Sequence, residues 1–314
     1  MEITRFADLR PRIVRDILDD AFDLYREKFA LLAGVSAVAY VPAMIAAMAI
    51  IIGPFADFVK SSSKSGTNSS DASFAFFLQF IGISVLAFPL IAIAQIMQTG
   101  ATCIVVEDRF MGRTTTIGSA WRRMLQRIGP LIGVALITGV LTLVLGAIIN
   151  GIGAYLSLTM TLYAAQIIVL EGQGMRGGLR RSWSLASQGF GKSLGFVLLT
   201  SVIGFFLWVG LYALIIGLIS LAGSGKDSSP STDSGGEAAL FALTLCIMGI
   251  SLLIVAPING IGATLLYYDL RVRREGIDIA AAAEDLGYEL APDPFGDARQ
   301  KPIIRPVAAK RAGP

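Results

Sequence analysis

Six long apolar segments without a charged side chain constrain this chain more than any other feature of its sequence. Each segment is at least as long as the roughly 17–25 residues that a helix needs to cross the hydrocarbon core of a bilayer. They span 29–54, 74–106, 128–149, 152–170, 194–222 and 238–268. We therefore predict an all-α membrane protein with six transmembrane helices.

The composition supports this prediction. Apolar residues make up 54% of the chain and charged residues 16%, whereas about a quarter of a soluble domain is charged. The six segments take up about half of the length, which leaves no room for a sizeable soluble domain. We predict a single transmembrane domain over 1–290, in which Cys103 and Cys246 lie inside apolar helices as free thiols.

Lysine and arginine are unevenly distributed between the two predicted sides of the membrane. If both termini share a side with the second and fourth loops, that side holds 23 of the 26 basic residues. The positive-inside rule then predicts that both termini are cytoplasmic. The segment 291–314 is rich in proline and basic residues, and we predict a disordered cytoplasmic tail that is attracted to anionic lipid headgroups.

Two short patterns recur three times along the chain. In the first, a small residue and an aromatic precede a glycine by a fixed spacing; in the second, a small residue, alanine and a polar residue precede an acid. The first occurs at Ala21-Phe22…Gly34, Ala120-Trp121…Gly133 and Ser182-Trp183…Gly195. The second occurs at Gly100-Ala101-Thr102…Glu107, Ala164-Ala165-Gln166…Glu171 and Gly262-Ala263-Thr264…Asp269. We predict three parallel hairpin repeats over about 12–110, 115–173 and 177–272.

An amphipathic segment opens each repeat. Apolar side chains recur at helical spacing opposite charged ones within 13–24, 117–127 and 178–188. We predict cytoplasmic helices that lie in the headgroup plane and anchor the hairpins, with lipid sensing as the alternative.

The sequence offers no catalytic constellation. It contains no histidine, which removes the commonest general base and most zinc and haem ligation. The apolar segments contain no carboxylates that could be paired in a protected site. We predict no enzymatic activity, no metal, no cofactor and no nucleic-acid partner.

Two sets of polar residues are candidates for function. The first set is the repeated acids Glu107, Glu171 and Asp269. We predict that they form either interfacial ion pairs with nearby arginines or an acidic ring around a cytoplasmic vestibule. The amides Gln95, Gln98, Gln166 and Asn259 lie inside the apolar segments. We predict that these amides either form hydrogen bonds between helices or line a polar cavity.

The two ends of the chain together resemble a known family. The opening segment is LRPRIVRDILDDAFDLYREKF over 9–29, and the closing segment is YYDLRVRREGID over 267–278. Both are similar to the bacterial glycerophosphoryl diester phosphodiesterase membrane-domain family. The resemblance covers most of 9–290 and implies a multi-pass protein of the bacterial inner membrane, with a link to lipid metabolism. The phosphodiesterase domain that some relatives carry relies on histidines, which this sequence lacks, so the resemblance does not imply that activity here.

Two classes of function follow. The first is a non-catalytic scaffold, anchor or regulatory component. It is favoured because the apolar segments contain no charged residue, whereas ion-coupled transporters generally carry an ionisable residue on their pathway. The alternative is a carrier or channel for a lipid-like or small uncharged solute, favoured by the repeats and the amides. A cavity that reaches Gln98 and Asn259 would favour the second class.

Overall fold

A computed structural model describes residues 14–64, 69–149, 151–223, 234–275, 288–291 and 303–306. These residues form ten helices and two short strands. The helices are α1 Val14–Glu27, α2 Phe29–Lys64, α3 Ser69–Phe110, α4 Ile117–Leu125, α5 Ile128–Ile148, α6 Ile152–Thr161, α7 Ala164–Leu170, α8 Met175–Gln188, α9 Phe190–Gly223 and α10 Ser234–Glu275. The strands are β1 Tyr288–Ala291 and β2 Ile303–Pro306, which pair antiparallel.

Six spans are long and apolar enough to cross a membrane, as predicted, so the fold is that of a multi-pass membrane protein. They are Phe29–Ile50, Phe88–Phe110, Ile128–Ile148, Ile152–Leu170, Phe190–Gly217 and Leu243–Val272. The serine-rich composition of 61–70 predicts a flexible link outside the membrane, but α2 continues to Lys64 and α3 begins at Ser69. The Gly/Ser-rich segment 223–236 predicts a second such link, and its residues 224–233 lie outside the described residues.

The six spans differ in burial in a regular way. About half of the second, fourth and sixth spans is buried (56%, 56% and 50%), against 28%, 33% and 17% for the first, third and fifth. The outer spans expose apolar side chains such as Val140 and Phe206, as expected where lipid covers the surface. Alternate spans therefore form the centre of the bundle.

Helices that follow each other in sequence pack together. α2 packs along α3, α5 along α6, and α9 along α10. The turn between α5 and α6 depends on glycine: Gly151 has a positive φ of 86°, and a Cβ at Gly153 would collide with the backbone carbonyl of Leu145. Only residues without a Cβ allow this conformation and close approach at no steric cost.

The three amphipathic segments form α1, α4 and α8, and their apolar faces pack on the bundle. α1 packs on α10, α4 on α3, and α8 on α7 and α6. The repeated small residues Ala21, Ala120 and Ser182 are fully buried in these contacts. The main core lies at this end of the bundle, around Tyr163 and Tyr267. We call this end the amphipathic-helix end.

The end of the chain contains a feature that the sequence analysis did not predict. Tyr288 pairs with Pro306 and Ala291 with Ile303 in the two-stranded hairpin. Residues 292–302 and 307–314, the rest of the predicted tail, lie outside the described residues. Disorder there stays a prediction.

Candidate functional site

A cavity of about 290 Å³ lies between the membrane-spanning helices α3, α5, α6, α7, α9 and α10. One part of its lining is apolar, with Phe88, Ile91 and Leu158 among the residues that contribute. The remainder is polar but uncharged. The polar residues are Gln95, Thr99, Thr138, Thr142, Thr161, Thr200, Ser201 and Asn259.

Most hydroxyl groups of this lining already donate a hydrogen bond to another protein atom. Four of them donate to a backbone carbonyl four residues earlier in their own helix, at 2.7–2.9 Å. The pairs are Thr99 to Gln95, Thr161 to Ser157, Thr200 to Phe196 and Ser201 to Val197. A hydroxyl whose proton is used in this way still has lone pairs, so these four groups offer the cavity acceptors.

Two cavity residues have unused hydrogen-bonding groups. Thr138 is 8% exposed, and its Oγ1 has no hydrogen-bond partner in the described part of the chain. Gln95 accepts a bond from the Tyr40 hydroxyl at 3.2 Å through Oε1, which leaves its amide nitrogen as a donor. A buried polar atom without a partner costs free energy. The Thr138 oxygen is such an atom, but it is enclosed by protein and does not open onto the cavity.

The structure separates the four predicted amides. Gln95 and Asn259 line the cavity. Gln98 is 1% exposed and does not line it. It donates instead to Ser36 Oγ at 3.2 Å, between helices, and to Thr102 Oγ1 at 2.9 Å.

Gln166 lies next to a break in the fourth span, where α6 ends at Thr161 and α7 begins at Ala164. With its amide nitrogen turned toward the break, Gln166 donates to the carbonyl of Leu162 at 3.0 Å. Ser182 of α8 accepts from the backbone N–H of Tyr163 at 3.2 Å and donates to the carbonyl of Met160 at 2.8 Å. Side chains thus satisfy backbone groups that the interrupted helix leaves unpaired, as membrane-embedded backbone requires.

The first repeated acid belongs to a cluster that holds α4 on α3. Arg123 of α4 donates to both carboxylate oxygens of Asp108, at 2.8 and 2.9 Å, and to Glu107 at 3.0 Å. The Asp108 side chain is 5% exposed and also accepts from the Thr115 hydroxyl at 2.7 Å. The hydrogen bond to Asp108 raises the pKa of the Arg123 guanidinium above its ordinary value.

The second acid, Glu171, lies at the junction of α7, α8 and α10. Its carboxylate accepts from Arg181 of α8 at 2.9 Å, from the Tyr267 hydroxyl of α10 and from Gln173 at 3.2 Å. Arg271 lies 3.9 Å away and also donates to the Tyr267 hydroxyl. This cluster connects the end of the fourth span to the end of the sixth.

The third acid, Asp269, has a 4% exposed side chain and accepts from Lys192 at the start of α9 at 3.0 Å. Arg109, which follows the first acid in sequence, pairs with Glu27 of α1 at 3.0 Å. That hydrogen bond lowers the pKa of Glu27 below its ordinary value. Each repeated acid is thus in contact with a different basic side chain, and the vestibule ring stays a prediction.

Sequence reasoning missed the hydroxyl residues that provide most of the polar lining. Thr138 and Thr142 lie four residues apart inside an otherwise apolar span, which places both on one helix face. Thr200 and Ser201 are adjacent in the fifth span and do not share this spacing. Hydroxyl residues that occur in pairs within apolar segments were the signal that could have found them.

Comparison with known proteins adds no identification. No model of a known protein family matches the chain, and neither a curated protein nor a solved structure is significantly similar to it. The resemblance of the two chain ends to a phosphodiesterase membrane domain therefore stays a prediction.

Proposed function

We propose that this chain is a non-catalytic integral membrane protein that binds a lipid-like or small uncharged solute, as a carrier or channel does. The observation that supports this proposal is the cavity of about 290 Å³ whose lining includes Gln95 and Asn259. Its size approaches the range of about 300–1,000 Å³ that is typical of small-molecule sites.

The lining favours an uncharged solute. Aspartate, glutamate, lysine and arginine are all absent from the described residues around the cavity. An ion that entered it would lose its hydration without meeting an opposite charge, which is costly inside a membrane.

This proposal reverses the order of the two functions expected from the sequence. A cavity that reaches both Gln98 and Asn259 was expected to favour a carrier or channel over a scaffold. The observed cavity reaches Asn259 but not Gln98, so this expectation is met for one of the two residues. Scaffolding remains the second candidate, because Gln98 joins helices and the clusters around Arg123 and Glu171 fasten α4 and α8 to the bundle.

We also propose that the bundle consists of three hairpin units related by an axis along the membrane normal. Each unit's amphipathic helix packs on the last helix of the unit before it: α4 on α3, α8 on α7, and α1 on α10. The first two pairs are neighbours in sequence, but α1 and α10 lie at opposite ends of the chain. Their contact closes the arrangement into a ring, as three equivalent units require.

We place the amphipathic-helix end in the cytoplasm of a bacterium, with the chain in the inner membrane. Among the described residues, Arg113, Arg122, Arg127, Arg176 and Arg180 are exposed at this end. Trp183 of α8 is 55% exposed. Exposed arginine with an interfacial tryptophan suits contact with anionic lipid headgroups.

Cysteine accessibility tests the proposed cavity. In a Cys103/Cys246-free background, we expect Asn259→Cys to react with N-ethylmaleimide in intact membranes, because water and small uncharged molecules reach the cavity. Gln98→Cys is the matched control: it replaces an amide of the same bundle that is buried away from the cavity. Mass spectrometry of the purified variants measures the modified fraction.

The expected result is modification at 259 with little or none at 98. An unreactive Asn259→Cys would show a closed core and return the scaffold to first place. Equal reactivity at both positions would mean that water reaches the bundle generally, which also contradicts a discrete cavity.

A further inference from the structure

The three amphipathic helices differ in charge. α1 contains five acidic and two basic residues. α4 contains two basic residues and α8 three, and neither contains an acid. The buried small residues Ala21, Ala120 and Ser182 give the three helices equivalent positions in the recurring pattern. A common role as anchors would not require a difference in charge, so α4 and α8 are adapted to surroundings that α1 does not share.

The exposed face of α8 combines arginine with an aromatic residue. Arg176, Arg180 and Trp183 follow one another at helical spacing and lie on one face of the helix. All three are exposed, whereas Gly178 and Ser182 on the opposite face are buried. Neither Arg176 nor Arg180 forms an ion pair with a carboxylate in the described part of the chain. Exposed indole and unpaired guanidinium groups together are typical of a helix at headgroup level.

α4 exposes the same combination of a cation and an apolar side chain. Arg122 and Leu125 lie three residues apart, on the face opposite the buried Ala120 and Met124. Leu125 is 44% exposed, and Arg122 has no ion pair with a described carboxylate. This face therefore also suits the boundary between headgroups and hydrocarbon.

Two contacts place α4 and α8 next to each other. Arg127, between α4 and α5, donates to the carbonyl of Gly172 in the loop before α8 at 3.2 Å. At the start of α8, the side chain of Met175 lies against Gly133 of α5, where an added Cβ would collide with its sulfur. Both contacts join the segment that follows α4 to the beginning of α8. The two basic faces therefore border the same part of the bundle.

α1 exposes carboxylates instead. Asp16, Asp19 and Asp23 are exposed at helical spacing, opposite the buried Ile17 and Ala21. None of the described residues of α1 is an exposed large apolar side chain. A negatively charged headgroup that approached this face would be repelled.

We infer that α4 and α8 together form a contact surface for anionic phospholipids, with headgroup phosphates at Arg122, Arg176 and Arg180, and that α1 does not share it. The inference rests on the proposed placement of the amphipathic-helix end at a membrane boundary. Phosphate matches a guanidinium in charge and in hydrogen-bonding geometry. The exposed Leu125 and Trp183 suit the apolar part of the same lipid molecules. A zwitterionic lipid would bring its cationic group close to the arginines as well, so the surface favours lipids with net negative charge.

Tryptophan quenching measures the local lipid preference. Trp121→Phe and Trp208→Phe leave Trp183 as the only tryptophan of the full chain. The protein is reconstituted into phosphatidylcholine vesicles that contain an equal mole fraction of either phosphatidylglycerol or phosphatidylcholine with brominated acyl chains. We expect brominated phosphatidylglycerol to associate at Trp183 about fivefold more strongly or better, since one basic residue near an anionic surface accounts for about this factor. High salt should reduce the preference, because it screens exposed charges.

Matched variants locate the preference. Arg176→Gln/Arg180→Gln should bring the ratio of the two associations at Trp183 close to one. Arg15→Gln/Arg26→Gln removes the same charge from exposed positions of α1 and should leave the ratio unchanged. The matched reporter is Phe22→Trp in a chain whose other tryptophans are phenylalanine, because Phe22 is the counterpart of Trp183 in the recurring pattern. We expect no preference for phosphatidylglycerol there.

Three results would overturn the inference. These are equal association of the two lipids at Trp183, a preference that survives Arg176→Gln/Arg180→Gln, and an equal preference at Phe22→Trp. The first would assign the arginines to a soluble anion or an acidic protein segment. Quenching of Trp183 by neither lipid would also contradict the placement of α8 at the membrane boundary. The labelling of Asn259→Cys tests the cavity separately, so failure of the lipid surface and failure of the proposed function are distinguishable.

Discussion

At the residue scale, one position of the recurring sequence pattern differs where the fourth of the described spans is interrupted. The three equivalent small residues are Ala21, Ala120 and Ser182, and all are fully buried. Ala21 and Ala120 belong to helices that pack on the continuous α10 and α3. Ser182 packs where the fourth span is broken, and its hydroxyl pairs with one N–H and one carbonyl at the break. Serine therefore stands in place of alanine at the copy of the pattern where two backbone groups, the Tyr163 N–H and the Met160 carbonyl, need a hydrogen-bond partner.

We predict that Ser182→Ala destabilises the protein by about 1–3 kcal/mol, because it leaves the Tyr163 N–H and the Met160 carbonyl unpaired in a buried site. Thermal unfolding in detergent measures the effect. Ser187→Ala is the control, since it removes an exposed hydroxyl of the same helix that bonds only to the Ser184 carbonyl. Equal melting temperatures for the two variants would show that the break does not depend on Ser182.

At the element scale, α4 illustrates how a short amphipathic helix is held on a membrane bundle. It has nine residues, fewer than the roughly 12–15 below which isolated helices are marginal in water. A capping box between Thr116 and Ser119 satisfies its first turn, and Ala120 and Met124 are buried against the bundle. Arg123 then joins the helix to the buried Asp108. Local capping, apolar packing and the two ion pairs of Arg123 together fix the element.

We predict that Arg123→Gln destabilises the protein by about 1–3 kcal/mol, because the buried Asp108 carboxylate loses two hydrogen bonds. The arginine itself is 40% exposed, and solvent screening keeps the effect below that of a fully buried ion pair. Arg122→Gln, at an exposed position of the same helix, should melt with the parent protein. Indistinguishable unfolding of the two variants would mean that α4 is held by its apolar face alone.

At the scale of the whole molecule, the proposed topology places the amphipathic helices on one side of the membrane. Asp269 near the end of the sixth span and the Glu107 and Glu171 clusters are all paired with basic residues close to those helices. Such pairing suits charges at a membrane boundary. The proposal that this boundary is cytoplasmic rests on the distribution of lysine and arginine.

We predict the outcome of single-cysteine labelling with an impermeant reagent in a Cys103/Cys246-free background. Positions within 61–70 and 224–235 should react in sealed cells. Thr114→Cys and Gly174→Cys, both at exposed positions, and positions within 300–310 should react only after the membrane is opened. External labelling of Gly174→Cys in sealed cells would contradict the six-span topology with both termini inside.

The sequence by itself determined the spans and the amphipathic helices, because both depend on local patterns. An apolar run long enough to cross a bilayer has few alternatives to a membrane-spanning helix, and a helical period of charge and apolar residues predicts which face is buried. The interruption at Leu162 and Tyr163 escaped prediction, since it depends on Ser182 reaching in from another helix. The extension of α2 to Lys64 and the pairing of β1 with β2 were also missed.

Only the tertiary structure decided which polar side chains share a site. Gln95 and Gln98 are the same residue type, three positions apart on one helix, and both bond to hydroxyls of α2, yet Gln95 lines the cavity and Gln98 does not. Sequence spacing determines on which helix face an amide lies, but the packing of the neighbouring helices determines whether that face also borders an open space. The same holds for Thr138, whose missing partner exists only as a property of the assembled bundle.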